Sequence, residues 1–144
     1  MKPINEMKMI FLSAPENENL ARMTVSAFVS KLNPPVGEIA EIKTAVSEAV
    51  TNCIVHAYRA RKGLITLAVK ALPDGRVYIK ITDKGCGIPD IEKAREPLWT
   101  SRPEEDRAGL GFAVMESFCD KMTVKSAPEK GTTVTLVKRL TLST

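Results

Sequence analysis

Residues 76–89 read RVYIKITDKGCGIP, and the fold turns on how this stretch is read. Val77, Ile79 and Ile81 recur at every second position, the period of a strand with one buried face. Asp83 falls on the same parity, so the strand ends by carrying a carboxylate toward the buried side. A buried carboxylate needs donors, and either the exocyclic amine of a purine or a backbone amide would serve. Gly85 and Gly87 follow, one glycine more than a plain hairpin requires. Glycine there lets a flat ring approach the backbone; equally, the segment could be a glycine-rich turn opened by an aspartate.

Upstream, Ile65, Leu67 and Val69 show the same alternation, and Pro73-Asp74-Gly75 joins the two runs as a turn. A helix begins near Glu38, where Ile39, Ile42, Val46, Ala49 and Cys53 form one apolar stripe at steps of three and four. Before it, residues 15–32 read as another helix, with Leu20, Met23, Ala27 and Val29 or Ser30 toward one face, stopped by Asn33-Pro34-Pro35. Met7–Ser13 reads as a short strand. Downstream, residues 109–120 suggest a third helix, and residues 121–126 and 132–138 two further strands. The order β-α-α-β-β-loop-α-β-β fits an α+β fold with helices on one face of a mixed, mostly antiparallel sheet. The irregular stretch 88–108 holds three prolines between two glycine motifs. Its length favours a lid over an ordinary connection.

Bulk properties narrow the function. With 144 residues, 44% of them hydrophobic, the chain suits one compact domain over 1–144. The net charge of +4 is spread among acids, and aromatics make up only 5%, which argues against direct nucleic-acid binding. A mild positive field suits an anionic ligand or an acidic partner. Cys53, Cys86 and Cys119 are odd in number and widely spaced, and His56 is the single histidine, so neither a disulfide framework nor a zinc site is expected. The apolar run at residues 7–12 is too short for a secretory signal, and no run approaches a membrane span of about 20 residues. A soluble, reduced, cytoplasmic protein is expected.

Chemistry-bearing residues gather in four places. Glu48 and Asn52 are four apart on the second helix, at the border between its apolar stripe and solvent, with His56 continuing the row. A solvated polar edge would look the same. Asp83-Lys84-Gly85-Cys86-Gly87 is the second place. Residues 107–111, Arg-Ala-Gly-Leu-Gly, open the third helix, where exposed N–H groups and the helix dipole favour phosphate and Arg107 adds charge. Capping glycines and an exposed arginine are the plainer reading. Last, Gly131-Thr132-Thr133 would bring a hydroxyl beside Asp83 only if their strands are neighbours. There is no Walker A sequence and no kinase H-R-D or D-F-G set.

In this order the four boxes resemble those of the GHKL, or Bergerat-fold, ATP-binding family. Over about Met7 to Val137 the chain is similar to the anti-sigma F factors of spore-forming bacteria, carried by EIKTAVSEAVTNCIVHAY (41–58), DKGCGIPDIEKAREPLWTSRPE (83–104) and GLGFAVMESF (109–118). The resemblance implies a two-layer α/β sandwich and a small serine kinase. Such a protein sequesters a sporulation sigma factor of the sigma-F type and phosphorylates an anti-anti-sigma protein, as a homodimer. By the same resemblance Asn52 would bind Mg²⁺ with the phosphates of ATP or ADP, and Glu48 would be general base. Asp83 would read the adenine amine with support from Thr132. Gly85, Gly87, Gly109 and Gly111 would line the nucleotide, Arg107 would reach the γ-phosphate, and Arg22 would meet protein partners. General stress anti-sigma kinases share these boxes. A module using ATP only as a structural clamp is the non-enzymatic alternative, and a histidine-kinase catalytic domain would share the fold. It would need a phosphoacceptor helix pair that is not expected here. The segment Arg59–Gly63 looks short for the family, and Trp99, Ser101 and Arg102 stand where Phe, Thr and Lys are usual. Cys86 and Cys119 are expected only to fill space.

Overall fold

The structure, a computed structural model, describes residues 1–59, 61–88, 95 and 111–142. In chain order these form β1 (Asn5–Leu12), α1 (Glu16–Ser30), α2 (Val36–Asn52), a π-helical turn (Cys53–Ala57), β2 (Leu64–Ala71), β3 (Arg76–Asp83), α3 (Gly111–Phe118), β4 (Lys121–Ala127) and β5 (Gly131–Arg139). One five-stranded sheet runs β1-β2-β3-β5-β4, and every pairing in it is antiparallel. The sheet is thus antiparallel throughout where a mixed, mostly antiparallel one was expected. β3 and β4 run the same way, and β5 folds back between them, so each meets an antiparallel neighbour.

Period-two alternation makes one face of this sheet the floor of the core. Ile65, Leu67, Val69, Val77, Ile79 and Ile81 are fully or almost fully buried, joined from β5 by Val134 and Leu136. Above them lies α2, where Ile42, Val46, Ala49 and Cys53 of the anticipated stripe are buried, Ile39 is partly so, and Ala45 and Val50 widen the buried face. It starts at Val36 directly after Pro35, whose extended ψ of 146° releases the chain into the helix.

α1 corrects the reading of its sequence. Ala21, Val25, Phe28 and Val29 are buried, whereas Leu20 and Met23 are 48% and 51% exposed and Ala27 is also exposed. Positions 21, 25, 28 and 29 form a second stripe that satisfies the 3.6 period as well as the first. Packing against α2 selects between the two. Three residues past the end of the helix, Asn33 takes a left-handed φ of 56°, a conformation asparagine tolerates better than most residues.

Candidate nucleotide site at the end of the central strand

Asp83 ends β3 on the buried side, as its parity requires, and is 5% exposed. Its Oδ1 accepts the Gly85 N–H at 2.9 Å and the Thr132 N–H at 3.2 Å. Its Oδ2 accepts the thiol of Cys53 at 3.4 Å. Burial pushes the carboxyl above its ordinary pKa, and these three donors oppose that shift without cancelling it. The Cys53 thiol is held neutral, chiefly by burial and then by the neighbouring carboxylate.

The condition attached to Gly131-Thr132 is met, since Asp83 pairs directly with Thr132 across the β3–β5 ladder. Support for Asp83 comes from the Thr132 amide. The Thr132 hydroxyl instead shares a 2.8 Å hydrogen bond with Ser126, which also accepts the Ile88 N–H at 2.8 Å and reaches the Gly131 carbonyl at 3.0 Å. Ser126 thus ties the exit of the glycine turn to the β4–β5 hairpin. Nothing in its local sequence distinguishes it from a surface serine.

Among the described contacts, the glycines of the turn face protein backbone. A Cβ on Gly85 would stand 2.4 Å from the Ala57 carbonyl oxygen, and one on Gly87 would stand 2.1 Å from that of Ala127. The turn is therefore wedged between the end of the π-turn and the β4–β5 hairpin. Cys86 is part of the wedge, with its amide donating to the Ala57 carbonyl at 3.0 Å and its thiol to that of His56 at 3.3 Å.

Glu48 and Asn52 are half-buried on α2, at the border expected for them. A Cβ on Gly111 would lie 3.2 Å from Asn52 Oδ1 and 3.4 Å from Glu48 Oε2, so the start of α3 abuts both polar groups. The regular row ends at Asn52. The next residues form the π-turn, closed by the Tyr58 N–H on the Cys53 carbonyl at 3.1 Å. That extra residue per turn carries His56 off the line that 100° steps would give it. Tyr58 in turn donates to the Leu64 carbonyl at 2.6 Å and accepts the Lys84 N–H at 2.7 Å, locking the turn to β2 and to the residue after Asp83.

Arg107 and Gly109 lie outside the described residues, as do Trp99, Ser101, Arg102 and the rest of the expected lid apart from Ile88 and Arg95. Arg22 stands on α1, bonded to Asn19, and its buried Nε has no hydrogen-bond partner among the described residues. Among the described residues no cluster of three or more His, Cys, Asp or Glu could hold a metal ion, and no helix is long and apolar enough to cross a membrane. The Asn52 amide and Glu48 carboxylate are hard oxygen donors. Such a set fits Mg²⁺, which keeps several waters and needs few protein ligands.

Residues 11–138 match the family model described as a histidine kinase-like ATPase domain. The anti-sigma F factor of Caldanaerobacter subterraneus subsp. tengcongensis is 52% identical over 134 residues, 93% of each chain. That of Bacillus licheniformis is 49% identical over 140 residues, covering 96% of this chain and 95% of the relative. Among solved structures, the RsbU and RsbW domains of a Mycobacterium tuberculosis protein superpose with a TM-score of 0.70 at 22% identity, over 96% of this chain and 33% of that one. The mycobacterial sensor histidine kinase MprB superposes with a TM-score of 0.58 at 17% identity, over 96% and 99% of the two chains. These two likenesses concern the fold, and the sequence relatives define the group: the chain belongs to the anti-sigma F factor family, built on the histidine kinase-like ATPase domain.

Proposed function

We propose that the chain is an anti-sigma factor and protein serine kinase. It binds a sigma factor of the sigma-F type and uses ATP to phosphorylate a serine of that factor's anti-anti-sigma antagonist. The observation that best supports this is a convergence at the end of α2. Cys53 touches Asp83, while Asn52 and Glu48, on the preceding turn, meet Gly111 at the start of α3. A purine amine at Asp83 and phosphates near α3 would then share one cleft.

In this reading Asp83 accepts from the adenine amine, which guanine replaces with a carbonyl. Asn52 would hold Mg²⁺ together with phosphate oxygens, and the ion supplies charge neutralisation. Glu48 takes the proton of the incoming hydroxyl. The serine oxygen bonds to the γ-phosphorus, the bond from that phosphorus to the bridging oxygen breaks, ADP leaves, and the proton resides on the Glu48 carboxylate. Arg107 and Gly109 are assigned to the terminal phosphates by sequence alone. Arg22 is assigned to the partner surface on α1 by the family resemblance alone. A cytoplasmic homodimer completes the proposal.

The test is transfer of ³²P from γ-labelled ATP to candidate anti-anti-sigma proteins, each compared with its serine-to-alanine variant. Label on the serine protein alone is expected. Nucleotide-dependent sigma-factor binding without any transfer would overturn the kinase assignment and favour the ATP-clamped module.

A further inference from the structure

The described donors to the Asp83 carboxylate are unevenly divided. Each carboxylate oxygen has two lone pairs. Oδ1 is filled by the amides of Gly85 and Thr132, while Oδ2 accepts only the Cys53 thiol. Counting the described donors, the remaining acceptor site lies on Oδ2, beside the sulfur. Torsion about the Cβ–Cγ bond of aspartate is soft, so the backbone amides alone leave the direction of that site loosely set. Cys53 is 5% exposed and directly follows Asn52 in the chain, so its position is fixed by the same turn that carries the proposed metal ligand.

We infer that Cys53 is a positioning residue for base recognition. Its thiol orients Asp83 Oδ2 so that one lone pair faces the purine amine, and it couples the base-reading strand to the helix that holds the phosphate end. The inference rests on the base-reading role proposed above for Asp83. A thiol suits the task because it donates weakly and leaves the carboxylate most of its acceptor strength.

The experiment measures affinities of the full chain for ATP and for inosine triphosphate, which carries a carbonyl where adenine has its amine. Cys53→Ala should lower the ATP-over-ITP preference about 3- to 10-fold, the range for one modest hydrogen bond, with ITP affinity unchanged. Cys53→Ser, which returns a donor on a slightly shorter bond, should recover part of the preference. Cys53→Val, which fills the sulfur's volume without a donor, should not. In an Asp83→Asn background, Cys53→Ala should leave the ratio unmoved. Equal losses for both nucleotides, or identical behaviour of the Ser and Val variants, would reduce Cys53 to core packing and overturn the inference. If Asp83→Asn alone leaves the ATP-over-ITP ratio at its original value, the base-reading role itself fails. Loss of selectivity in Asp83→Asn with an unchanged Cys53→Ala variant defeats only the role of Cys53.

Discussion

Asp83 and Thr132 face each other across the β3–β5 ladder, and the Thr132 amide donates to the Asp83 carboxylate at 3.2 Å. The carboxylate is thus held by the backbone of the neighbouring strand. One carboxylate oxygen is thereby set by the register of β5, while the other meets the Cys53 thiol.

That arrangement separates folding from binding. In Asp83→Asn the amide oxygen can still accept from Gly85 and Thr132, and a buried charge is removed. The substituted amide then presents a donor where a purine amine needs an acceptor. ATP affinity is expected to fall at least about tenfold, while the urea midpoint of the nucleotide-free protein holds or rises. Titration calorimetry and chemical denaturation on the same sample check both halves.

The pH dependence has opposite signs for the two properties. Burial raises the Asp83 pKa, so the folded protein holds this proton more tightly than the unfolded chain does. The contribution to stability is therefore full below the ordinary aspartate range and is lost as pH rises through the raised value. In the proposed base-reading role ATP binding needs the ionised carboxylate, so affinity should decline as pH falls through that same window. The thermal shift produced by ATP should shrink on acidification in the parent protein, and should follow a flatter profile in Asp83→Asn.

Gly131 stands where the ladder meets Asp83, with φ at +99° and the Asp83 carbonyl oxygen 2.2 Å from where a Cβ would sit. Gly131→Ala should lower stability by about 2–3 kcal/mol, because the backbone must shift and the left-handed conformation is strained. The displaced strand should also weaken ATP binding. Gly37→Ala, with nothing within 4 Å of its Cβ position, serves as the control: it should leave ATP binding unchanged and hold or modestly raise stability, alanine being the better helix former.

Glu48 and Asn52 are expected to divide catalysis and binding between them. Glu48→Gln is nearly isosteric, so nucleotide should bind while phosphoryl transfer falls about 10²- to 10⁴-fold. Asn52→Ala should remove the Mg²⁺-dependent part of nucleotide affinity. Quench-flow transfer and binding measured with and without Mg²⁺ distinguish the two, and normal transfer by the Glu48→Gln variant would remove the general-base role.

Local periodicity was enough for much of this molecule. The burial of Asp83 follows from its parity with Val77, Ile79 and Ile81, and the α2 stripe and the border position of Glu48 and Asn52 follow from 100° steps. Such features depend on near neighbours in the chain, so a single sequence carries them. Other features depend on which surfaces meet. α1 offers two apolar stripes, and contact with α2 buries Ala21 and Val25 in place of Leu20 and Met23. The π-turn shifts the helical phase beyond Cys53, and the contact of Cys53 with Asp83 spans a separation of 30 residues. Gly85 and Gly87 are bare because the Ala57 and Ala127 carbonyls lie against them, chains that are remote in sequence. Propensity and period act over a turn or two, whereas these contacts arise only when the sheet, its register and the helices above it are assembled together.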